Sequence, residues 1–406
     1  MVVKNNVKGR VFYGLIISLI SALVIFFAFA PGIVEKRLNQ VVMAANPVTN
    51  PGNAIGDIVI IEEVKNLHER LRIADLHADS LLWNRDLLER GSRGHVDVPR
   101  LLEGNVALQV FTTVTKSPDG LNNERNEAKT RDNITLLAVA QRWPIGAWQS
   151  LYARAVHQSD RLSTFIARSR KNITLIKNKA DLSRLFEQRE KGEKVVGALL
   201  GTEGSHALDG DIANVKKLFG HGFRMMSLHH FFDNRLGGSL HGVAKTGLTD
   251  FGREVVREIE KLEIMLDLSH SSPQVVEDVL AMTKRPIIVS HTGIKSHCAN
   301  ARNISDRLMK KIAAGGGLIG MGYWSSAACD ISPSGLAKSI KAAIGVVGVD
   351  HVALGSDFDG AVTTAFDVSK LSKLTQALVD EGLSESAIEK VMGENQIRFF
   401  SKYLPE

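Results

Sequence analysis

The chain has 406 residues, of which 44% are apolar and 23% charged, so it can bury a sizeable core and is not typical of a disordered protein. Its formal charge of +6 is modest, the two signs are interleaved and aromatic residues are few, which argues against a nucleic-acid-binding surface. Only two cysteines occur, Cys298 and Cys329, which excludes a framework of several disulfides and argues against a thiolate zinc site.

The first predicted element is an apolar helix at the N-terminus. Residues 11–30 carry no charge and follow Lys4, Lys8 and Arg10. This length is about what a helix needs to span a bilayer, and the basic flank favours a cytoplasmic N-terminus with the rest of the chain exported. The Ala-Phe-Ala sequence before Pro31 is also suited to signal-peptide cleavage, which would release the protein, and a buried core helix is a third interpretation. We favour an uncleaved anchor.

A linker follows this segment. Residues 46–57, NPVTNPGNAIGD, are rich in Asn, Pro and Gly, a composition that is typical of loops. We therefore divide the chain into residues 1–45, a membrane anchor or signal sequence with the start of the linker, and residues 46–406, a single large domain.

Eight short apolar runs come next and predict buried β-strands. Near-continuous apolar strands are typical of a parallel sheet that is covered on both faces. The runs occupy residues 72–77, 106–113, 195–203, 223–230, 264–270, 286–291, 317–324 and 351–360.

Amphipathic segments with recognisable caps lie between most of these runs. One begins at Thr249 or Asp250, and another has Ser272 as its cap with Pro273 at the first helical position. Residues 116–193, between the second and third runs, form a largely helical insertion by pattern. Eight strand–helix units predict an α/β fold, a (β/α)8 TIM-type barrel with a helical insertion between strands 2 and 3 and a preceding transmembrane helix. An open, doubly wound sheet is the alternative.

Polar side chains end most of the runs. They are His77 and Asp79, Glu203, His229 and His230, His270, His291, and Asp357 and Asp359. A barrel would gather these strand ends around one mouth, where barrel active sites are built. Imidazoles and carboxylates that converge there predict a divalent metal site, since zinc accepts both donor types. A carboxylate such as Glu203 can bridge two ions.

Other polar residues near these ends have a structural interpretation. Asp75 lies deeper in its strand and is predicted to support a ligand or cap a helix. His229 and His230 are adjacent, so at most one of them points into the mouth. Asp359 is equally suited to holding the turn before Gly360. The remaining histidines are interpreted as loop or packing residues: His206, His221, His241, His297 and His351.

The order of the motifs resembles the membrane (renal-type) dipeptidase family of zinc peptidases. The motifs are DLHAD, GTEGSHAL, SLHHFFDN, GLTDFGREVVREIEKL, DLSHSS, SHTGIKSHCANARNISD, GSDFDG and GENQIRFF, and they cover most of the chain after the linker. The resemblance implies a (β/α)8 barrel that binds two Zn²⁺ ions per chain and hydrolyses dipeptides by a metal-bridging hydroxide, outside the cytoplasm. Barrels of this family are often dimeric, so a homodimer is also an expectation.

Carried over residue by residue, the resemblance implies the metal ligands. His77 and Asp79 would bind one zinc ion, and His270 and His291 the other. Glu203 would bridge both ions and so belongs to the catalytic group as well as to the metal ligands.

The same resemblance implies three further roles. His230 would contact the oxygen of the scissile carbonyl, and Arg302 would bind the C-terminal carboxylate of the substrate, for which its guanidinium is well shaped. Asp357 would transfer the proton from the attacking water to the leaving amine. A surface ion pair with Asp306 is the structural alternative for Arg302.

The chain departs from the usual family pattern around the pocket. His229, Phe231 and Phe232 stand where the family usually has a small polar residue, an Asn and a small residue, and the segment from His77 to Trp83 also differs. We expect Phe231 and Trp83 to line a more apolar pocket. Phe232 could line it too, but ordinary packing is the interpretation that we favour for this residue.

Two other functions are weighed against a dipeptidase. A binuclear-metal amidohydrolase acting on a cyclic amide, lactone or lactam would usually have a His-x-His motif and a bridging lysine, whereas this chain has His-x-Asp and Glu203. A catalytically inactive, membrane-tethered binding protein would be expected to lack at least one metal-ligating residue. All five proposed metal ligands are present in this chain.

Overall fold

The computed structural model of the protein describes residues 3–42 and 58–406. Within them, nine strands form one parallel sheet. The strands are β1 (Ile73–Ala78), β2 (Val106–Val114), β3 (Ile173–Leu175), β4 (Val196–Glu203), β5 (Phe223–Ser227), β6 (Met265–Asp267), β7 (Ile288–Thr292), β8 (Leu318–Met321) and β9 (Val352–Leu354).

The sheet closes into a barrel of eight strands. The strand order is β2-β1-β9-β8-β7-β6-β5-β4-β3, and β2 also pairs with β4, from Leu108 opposite Gly197 to Val114 opposite Glu203. Each of the eight predicted runs overlaps one barrel strand, which confirms the TIM-type fold. The ninth strand, β3, pairs with β4 outside the ring and was not predicted, because its three residues are too few to show a pattern.

Sixteen α-helices accompany the strands in the described part of the chain. They are α1 (Val3–Leu38), α2 (Glu62–Arg70), α3 (Val98–Glu103), α4 (Asn133–Ala140), α5 (Gly146–Gln149), α6 (Leu151–Arg168), α7 (Lys179–Glu190), α8 (Ala213–Gly220), α9 (Asp250–Lys261), α10 (Pro273–Met282), α11 (Asp306–Ala314), α12 (Ser325–Ala328), α13 (Pro333–Val347), α14 (Ser372–Asp380), α15 (Glu385–Glu389) and α16 (Asn395–Tyr403). The predicted insertion holds α4 to α7 and β3.

Local sequence explains where these elements begin and why they are buried. Thr249 caps α9 and Ser272 caps α10, with Pro273 at the first helical position, as expected from the sequence. Every residue of β1, β2 and β4 is buried, which is the burial pattern of strands that are covered on both faces. Because neighbouring barrel strands are parallel, their carboxyl ends lie together at one end of the barrel.

The N-terminal helix α1 differs from the others. Its segment Arg10–Leu38 contains an 18-residue window with a mean hydropathy of 2.6 and is long and apolar enough to cross a membrane, a description that a signal sequence also meets. The helix continues through Pro31, and its last turns pack against the barrel, where Glu35 and Asn39 are buried.

Cys298 and Cys329 form a disulfide with their Cα atoms 5.6 Å apart. The sequence excluded only a framework of several disulfides, and a separation of 31 residues does not show that two cysteines meet in space. The bond joins the loop after β7 to the end of α12.

A candidate binuclear metal centre and its pocket

The first two predicted ligands stand at the end of β1. His77 is the fifth residue of that strand and Asp79 follows its end, so that His77 Nε2 lies 3.6 Å from Asp79 Oδ1 and 3.5 Å from Glu203 Oε1. Thr112 donates a hydrogen bond of 2.6 Å to Asp79 Oδ1, which fixes that carboxylate. His77 Nε2 is buried without a hydrogen-bond partner, an expensive arrangement unless a ligand occupies the site.

The other two predicted ligands contact the same carboxylate oxygen of Glu203. Glu203 Oε1 is 3.3 Å from His270 Nε2 and 3.5 Å from His291 Nε2, and the two imidazole nitrogens are 2.9 Å apart. His270 adopts a left-handed backbone conformation, with φ of 60°, which costs about 1–2 kcal/mol and is tolerated chiefly where surrounding structure requires it. The structure thus brings all five predicted ligands into one cluster around Glu203.

A single hydroxyl orients two of the imidazoles. Ser290 Oγ donates to Asp267 Oδ2 at 2.6 Å and lies 3.1 Å from His77 Nδ1 and 2.9 Å from His291 Nδ1. Because the serine proton is committed to Asp267, the hydroxyl oxygen can accept from both Nδ1–H groups, which leaves both Nε2 lone pairs facing the cluster. A neutral histidine needs this tautomer to bind a metal through Nε2.

Two glycines allow this hydroxyl to lie where it does. A Cβ atom on Gly320 would lie 2.0 Å from the carbonyl oxygen of Ser290, and one on Gly355 would lie 1.9 Å from it. Both positions therefore require glycine if β7 is to keep its place between the neighbouring strands.

His230 and Asp357 complete the cluster. His230 Nε2 lies 3.4 Å from Glu203 Oε2, and its Nδ1 lies 3.2 Å from the carbonyl oxygen of Lys116, so Nδ1 carries the proton. Asp357 Oδ1 lies 3.9 Å from His77 Nε2. Like His270, Asp357 has a left-handed backbone conformation, with φ of 60°. Both side chains are buried.

The donor set fits divalent metal ions. Three groups have ligand atoms that all lie within 4.8 Å of one another: His77 with His291 and Asp357, Glu203 with His230 and His270, and His77 with Asp79 and Glu203. Imidazole nitrogen and carboxylate oxygen are ligands that zinc accepts, and three protein ligands with an open position are typical of catalytic zinc sites. The shared Glu203 is suited to a two-metal site.

Burial and mutual contact shift the pKa values of the cluster. Burial lowers the pKa of His77, but Asp79 and Glu203 outweigh this effect and hold it well above its ordinary value. Burial raises the pKa of Glu203, but His230 and the other imidazoles outweigh it and hold that pKa well below its usual range. Burial raises the pKa of Asp357, and the carboxylates of Glu203 and Asp79 raise it further. The cluster therefore holds several buried carboxyl groups close together, and a bound cation would stabilise their negative charge.

Arg302 lies beside the imidazoles and is only 2% exposed, which excludes the surface ion pair with Asp306. Its Nη2 donates to the carbonyl oxygen of His291 at 3.2 Å and lies 3.2 Å from His270 Nε2, and its guanidinium lies 5.2 Å from the centre of the Trp324 ring. Burial lowers the pKa of Arg302 to about 10, so the guanidinium stays charged at neutral pH. None of the described carboxylates forms an ion pair with Arg302, so an anionic group of a substrate could pair with it.

The cluster forms the floor of a cavity of about 340 Å³, a size in the range of small-molecule sites. The polar floor includes Asp79, Glu203, His230, His270, Arg302 and Asp357. The apolar walls include Val34, Leu38, Leu82, Trp83, Leu121, Ile134, Leu137, Phe231, Trp324 and Val362. Trp83 and Phe231 thus line the pocket as expected. Phe232 does not, and instead packs on His206 and Lys116.

The remaining predicted residues take structural positions. Asp75 accepts from the backbone N–H groups of His77 and Ser356, at 2.9 and 3.1 Å, and so supports a ligand from below. Asp359 accepts from Ser80 Oγ at 2.6 Å and pairs with Arg85 outside the cluster.

Two further histidines lie near the cluster. His229 turns away from it, whereas His241 lies closer to the pocket than the sequence analysis placed it. His229 is buried with its Nδ1 3.1 Å from Ser271 Oγ, so that His230 is the member of the pair that reaches the cluster. His241, interpreted from the sequence as a packing residue, stacks on Phe231 with ring centres 4.7 Å apart and lies 5.1 Å from the His270 ring. Loop position alone gave no signal for this contact.

A family model described as membrane dipeptidase (peptidase family M19) matches residues 61–403. Among curated relatives, the dipeptidase verJ of Clonostachys rogersoniana is 28% identical over 311 residues, covering 75% of this chain and 74% of that protein. The dipeptidase tcpJ of Claviceps purpurea (strain 20.1) is 29% identical over 319 residues, covering 75% of this chain and 68% of that protein.

Solved structures share the fold. The probable dipeptidase PvdM from Pseudomonas aeruginosa superposes with a TM-score of 0.70 at 17% identity, over 85% of this chain and 98% of that one. A metallopeptidase from Rhodobacter sphaeroides, liganded with a phosphinate mimic of the dipeptide L-Ala-D-Ala, gives a TM-score of 0.65 at 22% identity, over 82% and 99% of the two chains.

Proposed function

The chain belongs to the membrane dipeptidase family of metallopeptidases, and from that premise we propose that it hydrolyses dipeptides with two zinc ions per chain. One observation carries the proposal. The Glu203 Oε1 atom lies within 3.5 Å of the Nε2 atoms of three imidazoles, His77, His270 and His291. A carboxylate in this position can be shared by two ions.

Following the division that the family resemblance implies, we assign His77 and Asp79 to one ion, His270 and His291 to the other, and Glu203 to both. The geometry supports this assignment for the first ion, since the ligand atoms of His77, Asp79 and Glu203 all lie within 4.8 Å of one another. Zinc, when bound, would lower the pKa of a water molecule towards 7 and polarise the scissile carbonyl. Ser290 and Asp267 keep the imidazoles in the tautomer that the ions need.

Arg302 and His230 would orient the substrate. The Arg302 guanidinium is buried and charged, so a free C-terminal carboxylate is the group of a dipeptide that best replaces its lost hydration. His230, whose Nδ1 donates to the Lys116 carbonyl oxygen, presents Nε2 to the cluster and would contact the carbonyl region of the substrate there.

Asp357 is placed for proton transfer. It lines the cavity, its Oδ1 lies 3.9 Å from His77 Nε2, and it is the one carboxylate of the floor outside the five proposed ligands. A carboxylate at this position would accept the proton of the attacking water and pass it to the leaving amine.

We also propose that the barrel lies outside the cytoplasm, held by α1, or is secreted if that segment is cleaved. The basic residues before residue 11 and the disulfide both support an exported domain, because disulfides persist in oxidising compartments. Protease treatment of cells whose outer membrane, where there is one, has been permeabilised tests this periplasmic or extracellular location. The barrel should be digested while a cytoplasmic marker stays intact, and protection of both would contradict export.

The decisive experiment uses the full chain in detergent micelles with a dipeptide panel that includes L-Ala-D-Ala, the dipeptide whose mimic the Rhodobacter protein binds. We expect two zinc ions per chain by elemental analysis, hydrolysis of free dipeptides, and loss of both metal and activity after chelation with recovery on adding zinc. Turnover of a cyclic amide or lactone with no turnover of any dipeptide would favour the amidohydrolase alternative. Light scattering of the same sample tests the expected homodimer.

A further inference from the structure

The C-terminal end of α1 reaches the pocket that holds the metal cluster. Val34 and Leu38, one turn apart on the helix, line the same cavity as Asp79 and Glu203. They are 42% and 41% exposed, because their side chains face the open cavity and not a packed core. The helix therefore supplies part of the pocket wall as well as an apolar N-terminal segment.

Buried contacts hold this end of the helix on the rim. Glu35 is 1% exposed and forms ion pairs with Arg85 Nε at 2.8 Å and Arg93 Nε at 2.5 Å. Asn39 Oδ1 accepts from the backbone N–H of Ala361 at 2.8 Å. A carboxylate that is buried between two guanidinium groups is far more constrained than a solvated surface ion pair.

The same contacts extend to another residue that lines the pocket, Trp83. Arg85, the partner of Glu35, also pairs with Asp359. Asp359 accepts, through its backbone carbonyl, a hydrogen bond of 2.6 Å from the indole Nε1 of Trp83, and Trp83 lines the cavity. The position of Glu35 is thus linked through two residues to the Trp83 ring.

We propose that the end of α1 is part of the substrate site, where Val34 and Leu38 select dipeptides that carry a bulky apolar side chain and Glu35 acts as a positioning residue. The proposal rests on the proposed dipeptidase function and adds a substrate class to it. The wall formed by Val34, Leu38 and Trp83 offers apolar area to a substrate side chain, and each buried methylene contributes about 0.8 kcal/mol. A charged side chain would lose hydration there without gaining a partner.

The inference holds whether or not the N-terminal segment is removed. Val34, Glu35 and Leu38 lie after the Ala-Phe-Ala sequence that ends at residue 30, so cleavage there would leave them on the chain. If the segment is retained, eight residues separate residue 30 from Leu38, which at about 1.5 Å per residue places the pocket wall roughly 12 Å beyond the uncharged stretch.

The test compares two dipeptides, Gly-Gly and Leu-Leu, on the full chain in detergent micelles. We expect Val34→Ser and Leu38→Ser each to raise KM for Leu-Leu by about three- to tenfold, as loss of apolar contact in a pocket does, while KM for Gly-Gly changes less than about twofold and kcat is retained. Ile33→Ser is the matched control, because Ile33 lies on the same helix, is 66% exposed and does not line the cavity. An unchanged ratio of the two KM values in both variants would overturn the proposal.

Glu35→Gln tests the positioning role separately, with Lys36→Gln on the exposed face as its control. We expect Glu35→Gln to raise KM for Leu-Leu selectively, and Lys36→Gln to leave both substrates unchanged. Equal loss of both activities together with a lower melting temperature would show that Glu35 has only a structural role. A wild-type chain that hydrolyses neither dipeptide would instead refute the proposed function, so the two failures are distinguishable.

Discussion

His270 Nε2 and His291 Nε2 lie 2.9 Å apart, and the Oε1 atom of Glu203 faces both of them. Two imidazole lone pairs at this distance repel each other unless a proton or a cation lies between them. The two histidines come from different strand ends, β6 and β7, so the barrel itself sets their separation. The arrangement is therefore built around positive charge, and this leads to the first prediction.

Replacing Glu203 by Gln should empty the metal centre. The amide keeps the shape of the side chain but removes the negative charge that both proposed ions share. We expect zinc content to fall below one ion per chain and kcat/KM to fall by at least about a hundredfold. Glu277→Gln, a surface change, is the control. Two bound zinc ions with full turnover in Glu203→Gln would contradict the bridging role.

Ser290→Ala should weaken metal binding without removing a ligand. The Oγ atom of Ser290 lies within 3.1 Å of Nδ1 of both His77 and His291, and its loss frees both rings to change tautomer or rotate. Loss of such a supporting hydrogen bond typically costs about ten- to a hundredfold in metal affinity, measured here by competition with a zinc chelator. Ser305→Ala, which removes the cap of α11, should cost about 1 kcal/mol of stability and leave zinc affinity unchanged.

Arg302→Lys should separate charge from geometry in carboxylate recognition. Lysine retains the positive charge but cannot form two parallel hydrogen bonds, so KM for free dipeptides should rise by about tenfold or more. The C-terminally amidated forms of the same dipeptides serve as internal controls and should change little, with two zinc ions retained. Equal effects on free and amidated substrates would remove Arg302 from carboxylate binding.

Opening the disulfide should affect the substrate pocket before it affects the metal. Arg302 and Trp324 both lie in the segment between Cys298 and Cys329, which are joined by the bond. In the double variant Cys298→Ser and Cys329→Ser, we expect a loss of roughly 2–4 kcal/mol in the free energy of unfolding and a higher KM for dipeptides, with zinc content unchanged. A KM equal to that of the wild type would show that the disulfide does not position this segment.

His68 should make the fold sensitive to acid. It is 6% exposed, its Nδ1 lies 2.8 Å from Thr375 Oγ1, and burial lowers its pKa to about 4 from an ordinary 6.5. The folded state therefore stays neutral where the unfolded state takes up a proton, so stability is full above pH 6.5 and is lost as the pH falls towards 4. This single group should cost about 2 kcal/mol between pH 7.5 and pH 5.

Urea unfolding at pH 7.5 and pH 5 measures this effect against His68→Gln, which cannot titrate. The difference in unfolding free energy between the two pH values should be smaller in His68→Gln by about the amount predicted for the wild type. The same pH dependence in both proteins would show that His68 does not contribute to it.

Much of the barrel and its metal cluster could be predicted from the sequence. Fully buried parallel strands leave near-continuous apolar runs, and polar residues at their ends, such as His77 and Glu203, stand out because the preceding residues are apolar. Strand geometry predicted that at most one of the adjacent pair His229 and His230 reaches the mouth, and the family resemblance indicated His230. The strand ends were therefore predicted from local pattern, whereas the role of each side chain came from the resemblance.

The parts that the sequence did not predict depend on contacts between distant segments. Ser290 is one serine among many until the fold places Asp267 and two histidines around its hydroxyl. The disulfide needs two loops to meet, and the contact of Glu35 with Arg85 spans the linker. Local pattern carries no information on such pairings, because the residue pattern of one segment is the same whichever distant segment it contacts.

The hydroxyl that Ser290 shares between His77 and His291 has a consequence for the order of metal loading. Each imidazole would belong to a different ion in the proposed centre, so this one hydroxyl couples the two metal positions. An ion held at one position would further restrict its imidazole and, through the serine, the imidazole at the other position, which would lower the entropy cost of binding there. We therefore expect positive cooperativity when the metal-free chain is titrated with zinc.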